Sequence, residues 1–211
     1  MPAHRLTSSI IHNEDELYAL LGTPAEVVKR KVVACLNPLT RQFIERSPLV
    51  CLATSDADGN CDVSPRGDPA GFVHILDERT LLLPERPGNR LADSLRNILS
   101  NPHVGLLFII PGITDTFRVN GRATVTTDAA LLAPTAVEGK QPKLGILVDI
   151  EAAYTHCSKA FLRSDFWDNE RFVARSELPS NGELMQAVQS VDAVQYDLER
   201  DARYARREGF Y

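Results

Sequence analysis

LLPERPGNRLADSLRNIL, residues Leu82–Leu99, decides how this chain is read. Its apolar opening, with Leu81 before it, is a strand that ends in Pro84, and Glu85-Arg86-Pro87-Gly88 forms a turn. Asn89 stands where a helix N-cap belongs, with Arg90 beside it. Leu91, Leu95, Ile98 and Leu99 recur at helical spacing, so a helix is predicted from there on. A strand, a glycine-containing turn and a helix start offer free backbone N–H groups beside a guanidinium, an arrangement suited to a phosphate. Arg90 can add a bidentate, charge-assisted contact, and Arg86 is close enough in sequence to assist. The stretch therefore predicts a phosphorylated small-molecule ligand.

Strand signals surround this segment. Leu49–Thr54 and Cys61–Arg66 flank the turn cluster Ser55-Asp56-Ala57-Asp58-Gly59-Asn60, and Gly71–Leu76 and Arg79–Leu83 flank Asp77-Glu78. Asn101-Pro102 ends the helix. Val104–Ile110, Thr116–Thr127 and Lys143–Ile150 read as further strands, with Pro111-Gly112 a turn. Hairpin-joined strands with a single interposed helix predict a closed antiparallel barrel rather than a doubly wound parallel sheet. Closure would also remove exposed edges.

The two ends read as helix. Asn13 with Glu16 is a capping box for a helix to Leu21, stopped by Gly22. Thr23-Pro24-Ala25-Glu26 predicts a second helix to about Leu36, and Pro38 a third to about Glu45. Tyr154–Phe166 has mixed helical character, Ser180-Asn181-Gly182-Glu183 opens a helix through Gln189, and Asp192–Arg207 is helix-prone. The expected architecture is mainly β (α+β), a single domain over 1–211, with a barrel core about 45–167 and helical extensions 1–46 and 168–211.

Composition excludes several classes. At 211 residues, 44% hydrophobic, the chain can bury a core without disulfides or metal. A net charge of −5 argues against a nucleic-acid surface but leaves room for a local basic pocket. No apolar run reaches the length of a membrane span, and MPAHRLTSSIIHNEDE lacks the apolar core of a signal peptide. Cys35, Cys51, Cys61 and Cys157 are scattered, as expected of reduced thiols in a cytoplasmic protein. His4, His12, His74, His103 and His156 lack metal-ligand spacing, so no metal site is expected. Dinucleotide-fold, P-loop, HExxH and GxSxG motifs are absent.

Four segments, taken together and in order, resemble the pyridoxamine 5′-phosphate oxidase-like flavoproteins. They are DVSPRGDPAGFV (Asp62–Val73), LLPERPGNRLADSLRNILSNPHVGLLF (Leu82–Phe108), TFRVNGRATV (Thr116–Val125) and YTHCSKAFLRSDFW (Tyr154–Trp167). The resemblance spans roughly residues 45–167 and is strongest to a bacterial branch sharing SPRGD, RPGNR, RVNGRA and HCxKAxxRS strings. It implies a split β-barrel with flanking N- and C-terminal helices, FMN as cofactor, and a homodimer with the cofactor at the interface.

The resemblance also implies a set of cofactor contacts. Arg66 matches the family's basic residue on the strand before the second hairpin, with Ser64 facing the same way by strand alternation. Pro84, Glu85 and Arg86 lead into the family's phosphate-binding helix start. There an Arg-Lys pair is replaced by Asn89-Arg90, which throws more weight on Arg66 and Arg86. Thr116 takes the position of a flavin-ring contact. Lys159, Arg163, Ser164 and Trp167 match a segment that reaches FMN across the dimer, with altered spacing. The family's substrate-phosphate residues find no match in Met185–Tyr211, so pyridoxal-phosphate synthesis does not carry over.

Other readings stand beside these. Arg66 could instead pair with Asp62 or Asp68, Asn89 could serve only as a cap, Thr116 only as a strand former, and Trp167 only as packing. His156-Cys157 reads as packed imidazole and inert thiol. For function, an FMN-dependent oxidoreductase acting on a small molecule is expected. A flavin carrier or redox sensor, or a related barrel binding haem or deazaflavin with His156 as axial ligand, are the alternatives.

Overall fold

The computed structural model describes residues 10–211. His4 and the start of the predicted N-terminal extension lie outside the described residues. The chain divides into two compact units, one ending at Val32 and the other Val33–Tyr211.

The first unit holds α1 (Glu14–Leu21) and α2 (Glu26–Arg30). Asn13 caps α1 by accepting from the Glu16 N–H at 2.9 Å, and Gly22 ends it at φ 74°, as the sequence predicts. The second helix is shorter than expected. It is capped by Ala25 without a side-chain bond and stops at Arg30 instead of about Leu36. Val33, which the expected helix would include, forms a β-bridge with Ala153 instead.

In the second unit, Val33 exchanges backbone hydrogen bonds with Ala153, at 3.2 and 2.7 Å. Then come α3 (Pro38–Arg46), β1 (Leu49–Ser55), β2 (Cys61–Gly67), β3 (His74–Ile75), β4 (Thr80–Pro84), α4 (Asp93–Ser100), β5 (His103–Ile109), β6 (Thr116–Thr126), α5 (Ala129–Leu132), β7 (Gly145–His156), α6 (Lys159–Arg163), α7 (Asn181–Gln186) and α8 (Ala193–Ala205). The seven strands form one antiparallel sheet in the order β2-β1-β5-β6-β7-β4-β3. This is the α+β architecture of a split barrel, with one correction: the sheet is not closed. Its edges are β2 and β3. Closure fails for local reasons. β3 has two residues, and β2 carries Pro65, which cannot donate to a ladder, and turns Asp62, Ser64 and Arg66 rather than apolar side chains inward.

The core lies on the inner face. Register places Val50 of β1, Phe108 of β5 and Phe117 of β6 in one row, all buried, with Leu52, Leu106, Val119, Val148 and Ile150 beside them. Phe43 of α3 stacks on Phe117 at 5.7 Å. Inward of β1, β2 and β6 sits α4, packed through Ile98 and Leu95. A bulge at Asn120/Gly121 lets β6 and β7 coil around this core; Glu151 is the extra residue. A Cβ on Gly121 would lie 2.0 Å from the Asp149 carbonyl oxygen, so glycine is obligatory there.

β7 runs through Tyr154, Thr155 and His156, which the sequence reading assigned to a helical segment; these residues pair with Arg118, Phe117 and Thr116. Helix α7 opens with the predicted Ser180–Glu183 capping box but ends at Gln186 rather than Gln189. No helix among the described residues is long and apolar enough to cross a membrane.

Candidate functional site

Strand alternation on β2 puts Asp62, Ser64 and Arg66 on the inner face, where α4 meets them. Ser94, in the first turn of α4 and 2% exposed, donates to an Asp62 carboxylate oxygen at 2.7 Å and lies 3.0 Å from the Ser64 hydroxyl. The Arg66 Nε donates to Ser64 Oγ at 3.1 Å, and its Nη1 donates to Glu85. One hydrogen-bonded chain thus runs Asp62, Ser94, Ser64, Arg66, Glu85, with the arginine and glutamate side chains each about one-fifth exposed, at 20% and 21%. Arg66 pairs with Glu85, not with Asp62 or Asp68.

The polar edge of α4 continues this docking. Asn97 donates to Thr54 Oγ1 at 3.0 Å and Asn101 to Ser55 Oγ at 2.9 Å. These side chains fix the second half of the helix and its C-terminal end against β1, while Ser94 ties its first turn to β2.

The strap between β4 and α4 departs from the predicted cap. Asn89 does not cap the helix. Its side chain accepts from the Leu91 N–H at 3.0 Å, closing a turn, and the helix begins later, at Asp93, behind Ala92. Leu91 and Leu99 are exposed rather than on the packed face. Arg90 and Ala92 both adopt left-handed backbone, φ 65° and 56°, which costs a non-glycine residue roughly 1–2 kcal/mol each. Strain of this kind, held beside a polar cluster, is a feature of binding straps. Arg90 is exposed, and among the described residues no hydrogen bond or ion pair holds its side chain.

Arg86 is committed elsewhere. Its Nε lies 2.6 Å from Asp68, whose side chain is 2% exposed; its Nη2 donates to the Thr135 carbonyl at 2.8 Å; and it stacks over the Tyr211 ring at 5.3 Å. Tyr211 closes the network by donating to the other Asp68 oxygen at 2.6 Å. That bond, with burial behind it, pushes the Tyr211 phenol above its ordinary 10.0.

The remaining predicted residues stand apart from Arg66. Pro84 ends β4 and is buried. Thr116 is 4% exposed, three strands from β2, and on the opposite face, since its neighbour Phe117 shares the row of Arg66. Trp167 donates to the Ile113 carbonyl at 2.9 Å and packs on Phe161 and Phe166. Lys159 and Arg163 are exposed, and the Ser164 hydroxyl donates to the Phe161 carbonyl at 3.2 Å. The structure therefore brings together Ser64, Arg66 and Glu85 and does not bring Thr116, Lys159, Arg163, Ser164 or Trp167 to them.

Sequence reasoning missed Ser94, Asp62 as the acceptor of the Ser94 hydroxyl, and the Asp68–Arg86–Tyr211 network. Ser94 carried a signal: a hydroxyl one turn before Ile98, on the packed face of an apolar helix. Asp62 carried the period-two relation to Ser64 and Arg66. Elsewhere, an open depression of about 370 Å³ is lined by Ala53, Cys61, His103, Gly105, Asn120 and Glu151, none of them predicted site residues.

An open seven-stranded antiparallel sheet with flanking helices places the chain in the split-barrel class. The pyridoxamine 5′-phosphate oxidase family profile matches residues 36–157, more than half of the chain, and the chain belongs to that family. No curated protein matches it. Solved structures that resemble it include a Lactobacillus delbrueckii protein named for pyridoxamine 5′-phosphate oxidase, 26% identical, covering 58% of this chain and 95% of its own, TM-score 0.45. HutZ, the haem storage protein of Vibrio cholerae, is 19% identical over 56% of this chain and 93% of its own, TM-score 0.40. An FMN-binding protein of Syntrophomonas wolfei is 10% identical over 56% and 89%, TM-score 0.42.

Proposed function

We propose that this chain binds FMN and works as a flavin-dependent oxidoreductase on a small molecule. In this reading it is a homodimer, with Lys159, Arg163, Ser164 and Trp167 of one copy approaching the cofactor held by the other. One observation carries the reading: Arg66 stands on the inner face with Ser64 and Ser94 beside it and a carboxylate already seated on its guanidinium. A position that holds one oxyanion has the donor chemistry to hold another, so the residues fit a phosphate.

Arg66 would take the phosphate in its forked N–H groups. Arg90, four positions before Ser94 on a strained strap and without a partner among the described residues, would close over it. Each charge-assisted bond of this kind contributes about 1.5–3 kcal/mol. The flavin, when bound, supplies the hydride or electron transfer. What falls to the chain is to bind and orient, which accords with a site built of arginines, hydroxyls and the carboxylates bonded to them. The backbone N–H groups at the start of α4 add a favourable dipole end for the anion.

The test is the visible absorbance spectrum of the purified protein, with mass analysis of what heat releases and a titration of the stripped protein with FMN. Flavin bands and stoichiometric FMN are expected. A colourless protein that also ignores added FMN would overturn the reading, and a haem spectrum would replace the flavin with another cofactor.

A further inference from the structure

Each forked face of the Arg66 guanidinium is already half used. Nε donates to Ser64 and Nη1 to Glu85, while Nη2 belongs to both faces. A phosphate that takes Arg66 by two parallel bonds uses Nε or Nη1 as well as Nη2, and so competes with one of these acceptors. They are not equivalent. Ser64 is neutral, lies against Ser94 as well, and can rotate its hydroxyl toward an incoming oxyanion. Glu85 is acceptor-only and carries the same sign of charge as the ligand.

The surroundings do not offset that charge. Asp62 is bound by Ser94, and Asp68 holds Arg86. The three arginines Arg66, Arg86 and Arg90 are thus matched in number by the three carboxylates Asp62, Asp68 and Glu85. Glu85 is the acid whose position decides what Arg66 can offer. Its backbone is anchored, the N–H donating to the Leu144 carbonyl at 3.0 Å, so release of Arg66 needs only a side-chain rotation. With both side chains about four-fifths covered, their Coulomb interaction is less screened than that of an open surface pair.

We propose that Glu85 is the specificity-determining residue of this seat: its carboxylate holds Arg66 where a ligand phosphoryl group would sit, so a phosphorylated flavin binds by exchange with it. The affinity then depends on the charge of the phosphoryl group against that of Glu85, and a flavin without phosphate is indifferent to the residue. This rests on the flavin reading above.

The test titrates FMN and riboflavin into wild type, Glu85→Gln and Glu85→Asp, following flavin fluorescence. Gln keeps a carbonyl for Arg66 and removes the charge. FMN Kd is expected to fall roughly tenfold or more, the scale of one charge-assisted bond, with riboflavin Kd unchanged. Asp keeps a carboxylate to balance Arg66 during folding but withdraws it by one methylene, and a smaller tightening for FMN alone is expected. If flavin binds but neither variant tightens FMN, or both flavins shift together, the proposal is overturned and the flavin reading stands. If no flavin binds any of the three proteins, both fall.

Discussion

Neutralising Asp68 separates a structural arginine from a ligand-binding one. The Asp68 carboxylate is 2% exposed and accepts from Arg86 at 2.6 Å and from Tyr211 at 2.6 Å. In Asp68→Asn the Arg86 guanidinium, 16% exposed, loses its charged partner and keeps the Thr135 carbonyl, the Tyr211 ring face and at most a neutral amide oxygen. Breaking a buried pair by removing one partner costs about 3–5 kcal/mol, and because Asn retains an acceptor oxygen the loss belongs near the lower end, about 3 kcal/mol. The solvent-exposed pair Arg206–Glu208, at 64% and 57%, is the control, and its loss in Glu208→Gln is expected below about 1 kcal/mol. Urea unfolding, read by circular dichroism and by Trp167 fluorescence, measures both. An apolar double variant, Asp68→Leu with Arg86→Met, removes both charges together and is expected to lose well under the sum of the single losses. An Asp68→Asn protein within about 1 kcal/mol of wild type, or additive losses in the double variant, would refute the reasoning and return Arg86 to the ligand.

Three further outcomes follow from the same contacts. Arg90→Ala, which touches an exposed side chain held by no described partner, should weaken FMN binding roughly tenfold to a hundredfold while leaving the unfolding midpoint within error; unchanged FMN affinity in the folded variant would move the phosphate elsewhere. Gly121→Ala forces a methyl to 2.0 Å from the Asp149 oxygen at the bulge, and a loss of about 3 kcal/mol or more, or failure to fold, is expected in the same urea assay. Burial, with the Arg86 charge adding to it, holds the His74 imidazole below its ordinary 6.5. The unfolded chain therefore binds the proton first, and stability is lost as pH falls from about 6.5 through the folded value. His74→Gln should flatten that limb of the stability–pH curve.

The strands were legible because their signals are local. β1, β5 and β6 begin and end within about a residue of where apolar runs and turn clusters place them, since Gly59, Pro102 and Gly112 punctuate them directly. What misread was decided at a distance. Helix α2 stops early where Val33 takes up a bridge with Ala153, a partner 120 positions away that propensity cannot see. β7 runs on to His156 because β6 is long enough to pair it; in isolation Tyr154-Thr155-His156 carries no strand-specific pattern. Closure was inferred from the rule that edges are hidden. This chain manages its edges differently, with a Pro-bearing strand at one side and a two-residue strand at the other.

The site follows the same division with one instructive difference. Ser64 and Arg66 could be placed on one face from alternation alone, and the structure joins them at 3.1 Å. The two arginines of the turn could not be told apart in the sequence: Arg86 and Arg90 sit four positions apart in one strap. Their fates depend on Asp68 and Tyr211, which lie 18 and 125 positions from Arg86. A guanidinium with a buried carboxylate, a carbonyl and a ring face has its geometry set by the fold, so using it for a ligand would first cost those contacts. A guanidinium on a left-handed, strained residue, with no partner among the described residues, has none of them to lose. Between these limits stands Arg66, held by a hydroxyl and by a carboxylate whose side chain alone needs to turn. The fold thus gives three chemically identical groups three different surroundings, and under the proposal above Glu85, rather than any arginine, is the residue whose replacement should change what the site prefers.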